Sequence, residues 1–206
     1  MNTIPSLIKR VKKTEHGFLD ILKAAEEVFA SSGSSAETFR IAKGLFASEV
    51  HQGRVLATFL FGKLAATSKE SLAFLRKRVS LDQDWRVQET LAKAFDQYCK
   101  DKGYETSLPV IQDWLGDPNP NVRRAVTEGL RIWTGRDYFR EHPEAAIELL
   151  GELKADESEY VRKSVGNALR DISRKHKDLI AAEIATWDPS DKRVLQTYKL
   201  AGKFLK

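Results

Sequence analysis

The sequence predicts an all-α fold in which antiparallel helix pairs stack into a solenoid with a concave groove. Apolar residues recur at three- and four-residue spacing along most of the chain, whereas no convincing strand alternation appears. One stretch also repeats, because the segment that begins at Asp117 returns 39 residues later at Asp156 and, in degraded form, 35 residues earlier at Asp82. A unit of this length is typical of helical solenoids, which build long concave surfaces.

Local signals place the breaks between the helices. A Ser-Ser-Gly-Ser-Ser turn cluster begins at Ser31, and Asp117-Pro-Asn-Pro120 ends one helix and caps the next. Pro143 and Pro189 suit the first turn of a helix. The loops are short, so neighbouring helices are expected to pack antiparallel. The predicted helices cover residues 3–13, 17–31, 35–48, 52–66, 68–79, 85–101, 105–115, 120–133, 143–154, 158–176, 177–187 and 190–205.

The second helix of each clear repeat has one apolar and one polar stripe. Val87, Val122 and Val161 occupy equivalent positions in the three copies, and helical spacing places them on a buried stripe. In the middle copy this stripe continues through Ala125, Val126 and Leu130. Stacked repeats would bring the opposite stripes together as a polar strip. The strip comprises Glu89, Lys93 and Asp96, then Arg124, Glu128 and Arg131, then Lys163, Asn167, Arg170 and Arg174.

The length of 206 residues allows one or two domains, and the repeats indicate a single solenoid domain over residues 1–206. Residues 1–50 form a less regular N-terminal cap, and the clearest repeats cover about 80–180. The net charge of +5 and the isoelectric point near 9.2 are compatible with nucleic-acid binding without requiring it. The start carries no long apolar stretch, no run is long enough to span a membrane, and Cys99 is the single cysteine. We therefore expect a cytoplasmic, monomeric protein.

The chain lacks the motifs of most cofactor-dependent and nucleophilic enzymes. It has no phosphate-binding glycine loop and no nucleophile elbow. Its four histidines show no metal-ligand spacing and are expected to be solvated. They are His16, His51, His142 and His176. No cofactor and no metal are expected, so any chemistry must come from carboxylates, arginines and aromatic side chains on the polar strip.

Two candidates share one face at the start of a helix, because Trp85 and Glu89 are four residues apart. A tryptophan beside a carboxylate could stack on a base while the carboxylate meets positive charge. Alternatively, Trp85 is a hydrophobic staple and Glu89 interacts with the helix dipole. The spacing alone leaves both interpretations open.

Arginines follow the cap of the middle repeat. Arg123 and Arg162 share a position for which a structural bond to the neighbouring repeat's aspartate is expected, whereas Arg124 could bind a phosphate through two hydrogen bonds. Glu128 lies one turn later and could simply pair with Arg124 or Arg131.

Trp133 ends the same predicted helix and lies either at the groove rim or in the layer between repeats, where burial is expected. Asp171 is either an ion-pair partner or an acid of the groove. Three basic clusters, at 9–13, 76–78 and 174–177, could contact phosphates or be ordinary solvated faces.

These segments resemble the HEAT-like-repeat DNA alkylation repair glycosylases of the AlkC and AlkD type. The resemblance is carried by Asn121-Val-Arg-Arg-Ala-Val-Thr-Glu-Gly129 and by Tyr160-Val-Arg-Lys-Ser-Val-Gly-Asn-Ala-Leu-Arg-Asp-Ile-Ser173, and it covers about residues 80–180. It implies an enzyme that excises cationic alkylated purines such as 3-methyladenine and 7-methylguanine from duplex DNA held in a basic concave groove. A carboxylate would stabilise the oxocarbenium-like sugar.

The resemblance also implies roles for single residues. It matches Trp85, Glu89, Arg124, Glu128 and Asp171 to positions of the family. With the candidates of the polar strip and Trp133 added, the candidate catalytic acids are Glu89, Glu128 and Asp171, and the DNA contacts are Trp85, Arg124, Trp133, Lys163, Asn167, Arg170 and Arg174. The pattern departs from the family at Asn167, where the AlkD type has a tryptophan, and at 130–136, where the AlkC type has a proline-rich segment ending in tryptophan. Two alternatives therefore remain open, namely a non-catalytic DNA-binding paralogue and a protein-binding HEAT scaffold.

Overall fold

The structure is a computed structural model that describes residues 3–205, and this part of the chain contains helices and no β-strand. Three short 3-10 helices cover Val79–Leu81, Trp133–Gly135 and Gly202–Phe204. Within the described range, none of the helices combines the length and the apolar character that a membrane span requires. The α-helices are α1 Ile4–Val11, α2 Leu19–Ser31, α3 Ser35–Phe46, α4 His51–Ala65, α5 Lys69–Lys77, α6 Trp85–Lys102, α7 Leu108–Leu115, α8 Pro120–Gly129, α9 Asp137–Glu141, α10 Pro143–Gly151, α11 Glu159–Ser173, α12 Lys177–Ala185 and α13 Lys192–Ala201.

The helices divide into two compact units, Met1–Asp101 and Lys102–Lys206. In the first unit, α4 lies at the centre and packs against α2, α3 and α5, so that most of its residues are buried. In the second unit, α11 packs between α8 and α13. The single solenoid domain inferred from the repeats stays a prediction.

The repeat pattern correctly predicts which stripe is buried. Val87, Val122 and Val161 are fully buried, as are Ala125, Val126 and Leu130. The polar strip is at least partly exposed at every position, which confirms the assignment of the two helix faces. Cys99 is fully buried on α6.

The helix predicted over 120–133 is too long, because α8 ends at Gly129. The backbone N–H of Arg131 donates to the backbone carbonyl of Glu128, whereas a continuing α-helix would use that of Thr127. The Thr127 carbonyl instead accepts the indole Nε1–H of Trp133 at 3.3 Å. The chain thus turns back and buries Trp133 against Phe139 of α9, with the ring centroids 4.9 Å apart. Burial of two large aromatic rings outweighs the helical periodicity of this segment.

An arginine clamp joins neighbouring repeats in the second unit. Nε and Nη2 of Arg123 each donate to the carboxylate of Asp156 at 2.7 Å. Nη1 of Arg123 donates to the carbonyl oxygens of Asp117 and Pro118, which lie in the turn before its own helix. The expected structural bond between Arg123 and the aspartate of the next repeat is therefore confirmed.

The same clamp recurs with different acceptors. In the first unit, Arg54 donates to Asp82 at 2.6 Å, and its Nη1 donates to two carbonyls of the preceding turn. In the second unit, Arg162 binds the equivalent carbonyls, but its Nε donates to the amide oxygen of Gln196 at 2.7 Å. The aspartate expected for Arg162 is thus replaced by a neutral glutamine.

We expect a Gly62→Ala substitution to destabilise the first unit, because Gly62 seats α4 directly against α6. An added Cβ would lie 2.8 Å from Cβ and 2.9 Å from Cα of Ala94, so backbone must move. Overpacking of this kind costs about 1–3 kcal/mol, which exceeds the helix-propensity gain of roughly 1 kcal/mol. Chemical denaturation would measure the loss. Gly135→Ala is the control, since nothing lies within 4 Å of its added Cβ, and equal stability of the two variants would contradict the predicted clash.

Candidate nucleic-acid interface

Three arginines of the second unit surround the carboxylate of Asp171. Arg131 Nε lies 2.8 Å from Oδ2, while Arg170 Nη2 lies 3.3 Å and Arg174 Nε 4.0 Å from Oδ1. The side chain of Asp171 is only 9% exposed. Asp171 is thus the common ion-pair partner of three guanidinium groups, and its role as an acid of the groove stays a prediction.

Arg131 connects this carboxylate to Glu128. Its Nη1 lies 3.4 Å from Oε2 of Glu128, three residues earlier on the chain. Burial lowers the pKa of Arg131. The hydrogen bond to Asp171 and the charges of Glu128 and Asp171 raise this pKa by more, so the net shift is upward. Arg131 therefore stays cationic, and three arginines around two carboxylates leave an excess of one positive charge.

The other predicted contacts of this unit also have exposed surface. Arg124 is half-buried on α8, one turn before Glu128, and Asn167 is half-buried on α11. Lys163 is exposed and forms an ion pair with Glu159, one helical turn earlier, at 2.6 Å. Most of the cationic side chains predicted on α8 and α11 are thus at least partly available to solvent.

Trp133 cannot stack on a base in this structure, which corrects that part of the prediction. Its side chain is fully buried, and its indole N–H is bonded to the Thr127 carbonyl. The alternative placement, in the layer between the repeats, is the one observed. Through this hydrogen bond Trp133 holds the end of α8, and it thereby fixes the position of Arg131, two residues after the helix ends.

Trp85 and Glu89 lie in the first unit, on α6. Trp85 is 62% exposed, so it does not serve as a buried hydrophobic staple. The guanidinium carbon of Arg86 lies 4.9 Å from its ring centroid, and Arg86 also pairs with Asp84 at 3.0 Å. Glu89 is half-buried. The exposed indole remains a candidate surface for base stacking.

A cavity of about 250 Å³ lies beside Trp85 and is lined by Phe18, Val55 and His51 among others. His51 and His176 are half-buried, whereas His16 and His142 are exposed, so the expectation of solvated histidines holds for two of the four. Burial lowers the pKa of His51, as does the charge of Arg86, while Asp84 opposes the shift. The imidazole is therefore neutral at pH 7.

Phe204 lies beside two of the predicted DNA contacts, although the sequence did not single it out. Its ring centroid lies 4.6 Å from the guanidinium carbon of Arg174 and 6.0 Å from that of Arg170. The residue belongs to the 3-10 helix Gly202–Phe204, beyond the clear repeats, so the repeat pattern contained no signal for it. Within residues 3–205, no group of three or more His, Cys, Asp or Glu side chains is arranged to hold a metal ion.

Solved structures of similar proteins match almost the whole chain. AlkD2 from Streptococcus mutans is 48% identical, with a TM-score of 0.95 over 98% of this chain and 97% of that one. The protein smu.31 from Streptococcus mutans UA159 is 46% identical, with a TM-score of 0.92 over 99% and 100% of the two chains. Both likenesses confirm the helical-repeat fold.

More distant likenesses cover less of the matching protein. Pseudomonas fluorescens alkylpurine DNA glycosylase AlkC, bound to DNA containing an abasic site analog, is 24% identical, with a TM-score of 0.52 over 98% of this chain and 62% of AlkC. That likeness concerns the fold alone. The uncharacterised protein YhaZ of Bacillus subtilis is 37% identical over 87 residues, which are 40% of this chain and 24% of YhaZ.

A sequence model of one protein family, described as DNA alkylation repair enzyme, matches residues 19–197. The match includes α2 to α12 and every predicted site residue. The chain belongs to the DNA alkylation repair enzyme family.

Proposed function

We propose that this protein is a monomeric DNA glycosylase that excises cationic alkylated purines, of the 3-methyladenine and 7-methylguanine type, from duplex DNA. The observation that carries the proposal is the position of Glu128. It is a half-buried carboxylate on α8, one turn after Arg124 and beside α11, which carries further cationic side chains. Membership of the DNA alkylation repair family supports the same activity.

The chemistry asks little of the protein beyond electrostatics. An alkylated purine with a positive charge is already a good leaving group, so the glycosidic bond is weak before binding. The enzyme must stabilise the positive sugar that develops and orient a water molecule for attack. A single carboxylate with a partly free charge can do both, and no cofactor is required.

Glu128 fits this role better than Asp171. The contact of Glu128 with Arg131 is 3.4 Å long, whereas Asp171 lies 2.8 Å from the same arginine and meets two more guanidinium groups. A carboxylate whose charge is compensated by three cations stabilises an oxocarbenium ion poorly. Glu89 stays a candidate acid of the first unit, beside the exposed Trp85.

Binding of the duplex is assigned to the cationic side chains of the second unit and to one aromatic ring of the first. Arginine and lysine neutralise backbone phosphates and release counterions, so affinity should fall steeply with salt. The proposed phosphate contacts are Arg124, Lys163, Arg170 and Arg174, with Asn167 as a polar contact and Trp85 as a stacking group.

The decisive experiment is a base-release assay. Purified protein is incubated with duplex DNA that carries methylated purines, and the free bases are separated and quantified. We expect 3-methyladenine or 7-methylguanine to appear at a rate well above the spontaneous rate in buffer. The same DNA, unmethylated, is the control. Release no faster than in buffer, at protein concentrations that saturate the DNA, would exclude the glycosylase.

A second candidate is DNA binding without excision, and two observations favour it. Arg131 contacts both Glu128 and Asp171, so it partly neutralises the two candidate acids of the second unit. The buried Trp133 also leaves no indole from this segment to contact a lesion. This candidate predicts salt-dependent binding of duplex DNA with no base release, which the same assay distinguishes.

A further inference from the structure

Two of the proposed phosphate contacts share an aromatic neighbour. Phe204 lies 4.6 Å from the guanidinium carbon of Arg174 and 6.0 Å from that of Arg170. Both arginines also meet the carboxylate of Asp171. Each guanidinium group is therefore bounded by an aromatic ring on one side and by a carboxylate on another.

This arrangement restricts side chains that would otherwise be mobile. Arg174 is 62% exposed, and a long side chain on the surface normally samples many rotamers, whose loss opposes ligand binding. Stacking on the ring of Phe204 restricts the plane of the Arg174 guanidinium in advance, and the charge of Asp171 at 4.0 Å favours the same placement. The conformational entropy of the arginine side chain is then already lost when the protein folds. It therefore no longer opposes the binding of an anion.

The cluster also retains unused capacity to donate hydrogen bonds. A guanidinium group carries five N–H donors, and Asp171 accepts from only part of those that surround it. The Nε atom of Arg170 is buried without a hydrogen-bond partner. Arg131 approaches the same carboxylate from the end of α8, so three cations converge on one point.

We propose that Arg131, Arg170 and Arg174 form one phosphate-binding site for the DNA backbone, and that Phe204 is its positioning residue. Asp171 aligns the three guanidinium groups, and the excess positive charge attracts one phosphate, which planar guanidinium groups bind through paired hydrogen bonds. This inference rests on the proposed DNA binding, but it does not depend on base release.

The test compares substitutions at Phe204 in the full-length protein. Phe204→Leu keeps an apolar side chain but removes the ring, and Phe204→Tyr keeps the ring. Dissociation constants for an undamaged duplex are measured over a series of salt concentrations. We expect Phe204→Leu to bind about two- to fivefold more weakly at low salt, which is the value of an exposed cation–π pair. Phe204→Tyr should bind like the unaltered protein.

A double-mutant cycle separates positioning from a general structural effect. Arg174→Ala should lower the slope of log affinity against log salt by about one. In the Arg174→Ala background, the additional effect of Phe204→Leu should shrink, because the better-stacked arginine is gone. An undiminished effect of Phe204→Leu in that background would overturn the positioning role, as would weak binding by Phe204→Tyr.

A matched control removes a similar pair elsewhere. Lys63 lies 5.8 Å above the ring of Phe29 in the first unit, so Phe29→Leu makes the same chemical change outside the proposed site. It should leave DNA affinity unchanged, and an equal loss there would overturn the proposal.

If Phe204→Leu fails to fold, Arg174→Lys tests the site without altering the ring. Lysine keeps the charge but lacks the planar fork. We expect it to lose most of the affinity that Arg174 contributes, and affinity equal to that of the unaltered protein would overturn the site. Unaltered protein that binds DNA and shows this coupling, yet releases no base, would contradict only the proposed glycosylase.

Discussion

An Arg123→Ala substitution is expected to lower the free energy of unfolding of the second compact unit by about 3 kcal/mol. The Arg123 side chain is 13% exposed and that of Asp156 only 4%, so the pair is largely withdrawn from water. Removal of the arginine leaves a buried carboxylate without its counter-charge. It also leaves the carbonyl oxygens of Asp117 and Pro118 without their shared donor.

The chain offers a matched control at the next repeat. Arg162 binds two carbonyls of its preceding turn in the same way, but its lateral partner is the neutral Gln196. Arg162→Ala therefore loses hydrogen bonds without leaving a buried charge, and its cost should be about half that of Arg123→Ala or less. The difference between the two variants estimates the effect of the unpaired Asp156.

The free energy of unfolding of both variants can be measured by chemical denaturation followed by tryptophan fluorescence, because both substitutions lie in the second compact unit. Trp114, Trp133 and Trp187 lie in the second unit and are buried, whereas Trp85 of the first unit is already exposed. Asp156→Ala in the Arg123→Ala background should recover part of the loss, because the unpaired charge is then absent. Equal losses for Arg123→Ala and Arg162→Ala would show that the charge contributes nothing.

Prediction from the sequence succeeded where one repeat position has one physical role. Val87, Val122 and Val161 are buried because the helical period of each copy places them on the apolar stripe. Arg123 could be assigned to the next aspartate because its position repeats. Such residues depend on local periodicity and on the neighbouring copy, and both are visible in the sequence.

Prediction failed where a contact depends on a break in the repeat. The spacing of Leu130 and Trp133 continues the helical pattern of α8, yet the chain turns after Gly129 to bury the indole. That turn directs Arg131 to Asp171, which is 40 residues away in the sequence. The position of Phe204 is likewise set by the packing of the last helix against α11. Neither contact follows from spacing alone.

A Glu128→Gln substitution is expected to slow base release by about a hundredfold or more while duplex affinity changes little. Glutamine keeps the size of the side chain and one acceptor oxygen, but it removes the negative charge that would face the developing positive sugar. Loss of one electrostatic contribution to a transition state typically costs 10²–10³ in rate. Single-turnover release from methylated duplex at saturating protein separates this step from binding.

The comparison with Asp171→Asn makes the test specific. Asp171 is interpreted here as the carboxylate that aligns Arg131, Arg170 and Arg174, so its neutralisation should act mainly on binding. We expect Asp171→Asn to change the salt dependence of duplex affinity and to slow release at saturation less than Glu128→Gln does. The reverse order would make Asp171 the catalytic acid, in spite of its three cationic neighbours.

If Glu128→Gln releases methylated base as fast as the unaltered protein, Glu128 is not the catalytic acid. Glu89 is then the next candidate, and Glu89→Gln should lose activity. Loss of activity at Glu89 alone would place the chemistry beside Trp85 in the first unit. In that case Arg131, Arg170 and Arg174 would serve only to hold the DNA backbone. Asp171 would orient these three arginines without contacting the sugar. Within the second unit, the distances to Arg131 of 3.4 Å from Glu128 and 2.8 Å from Asp171 favour Glu128 as the acid, because its charge is the less compensated of the two.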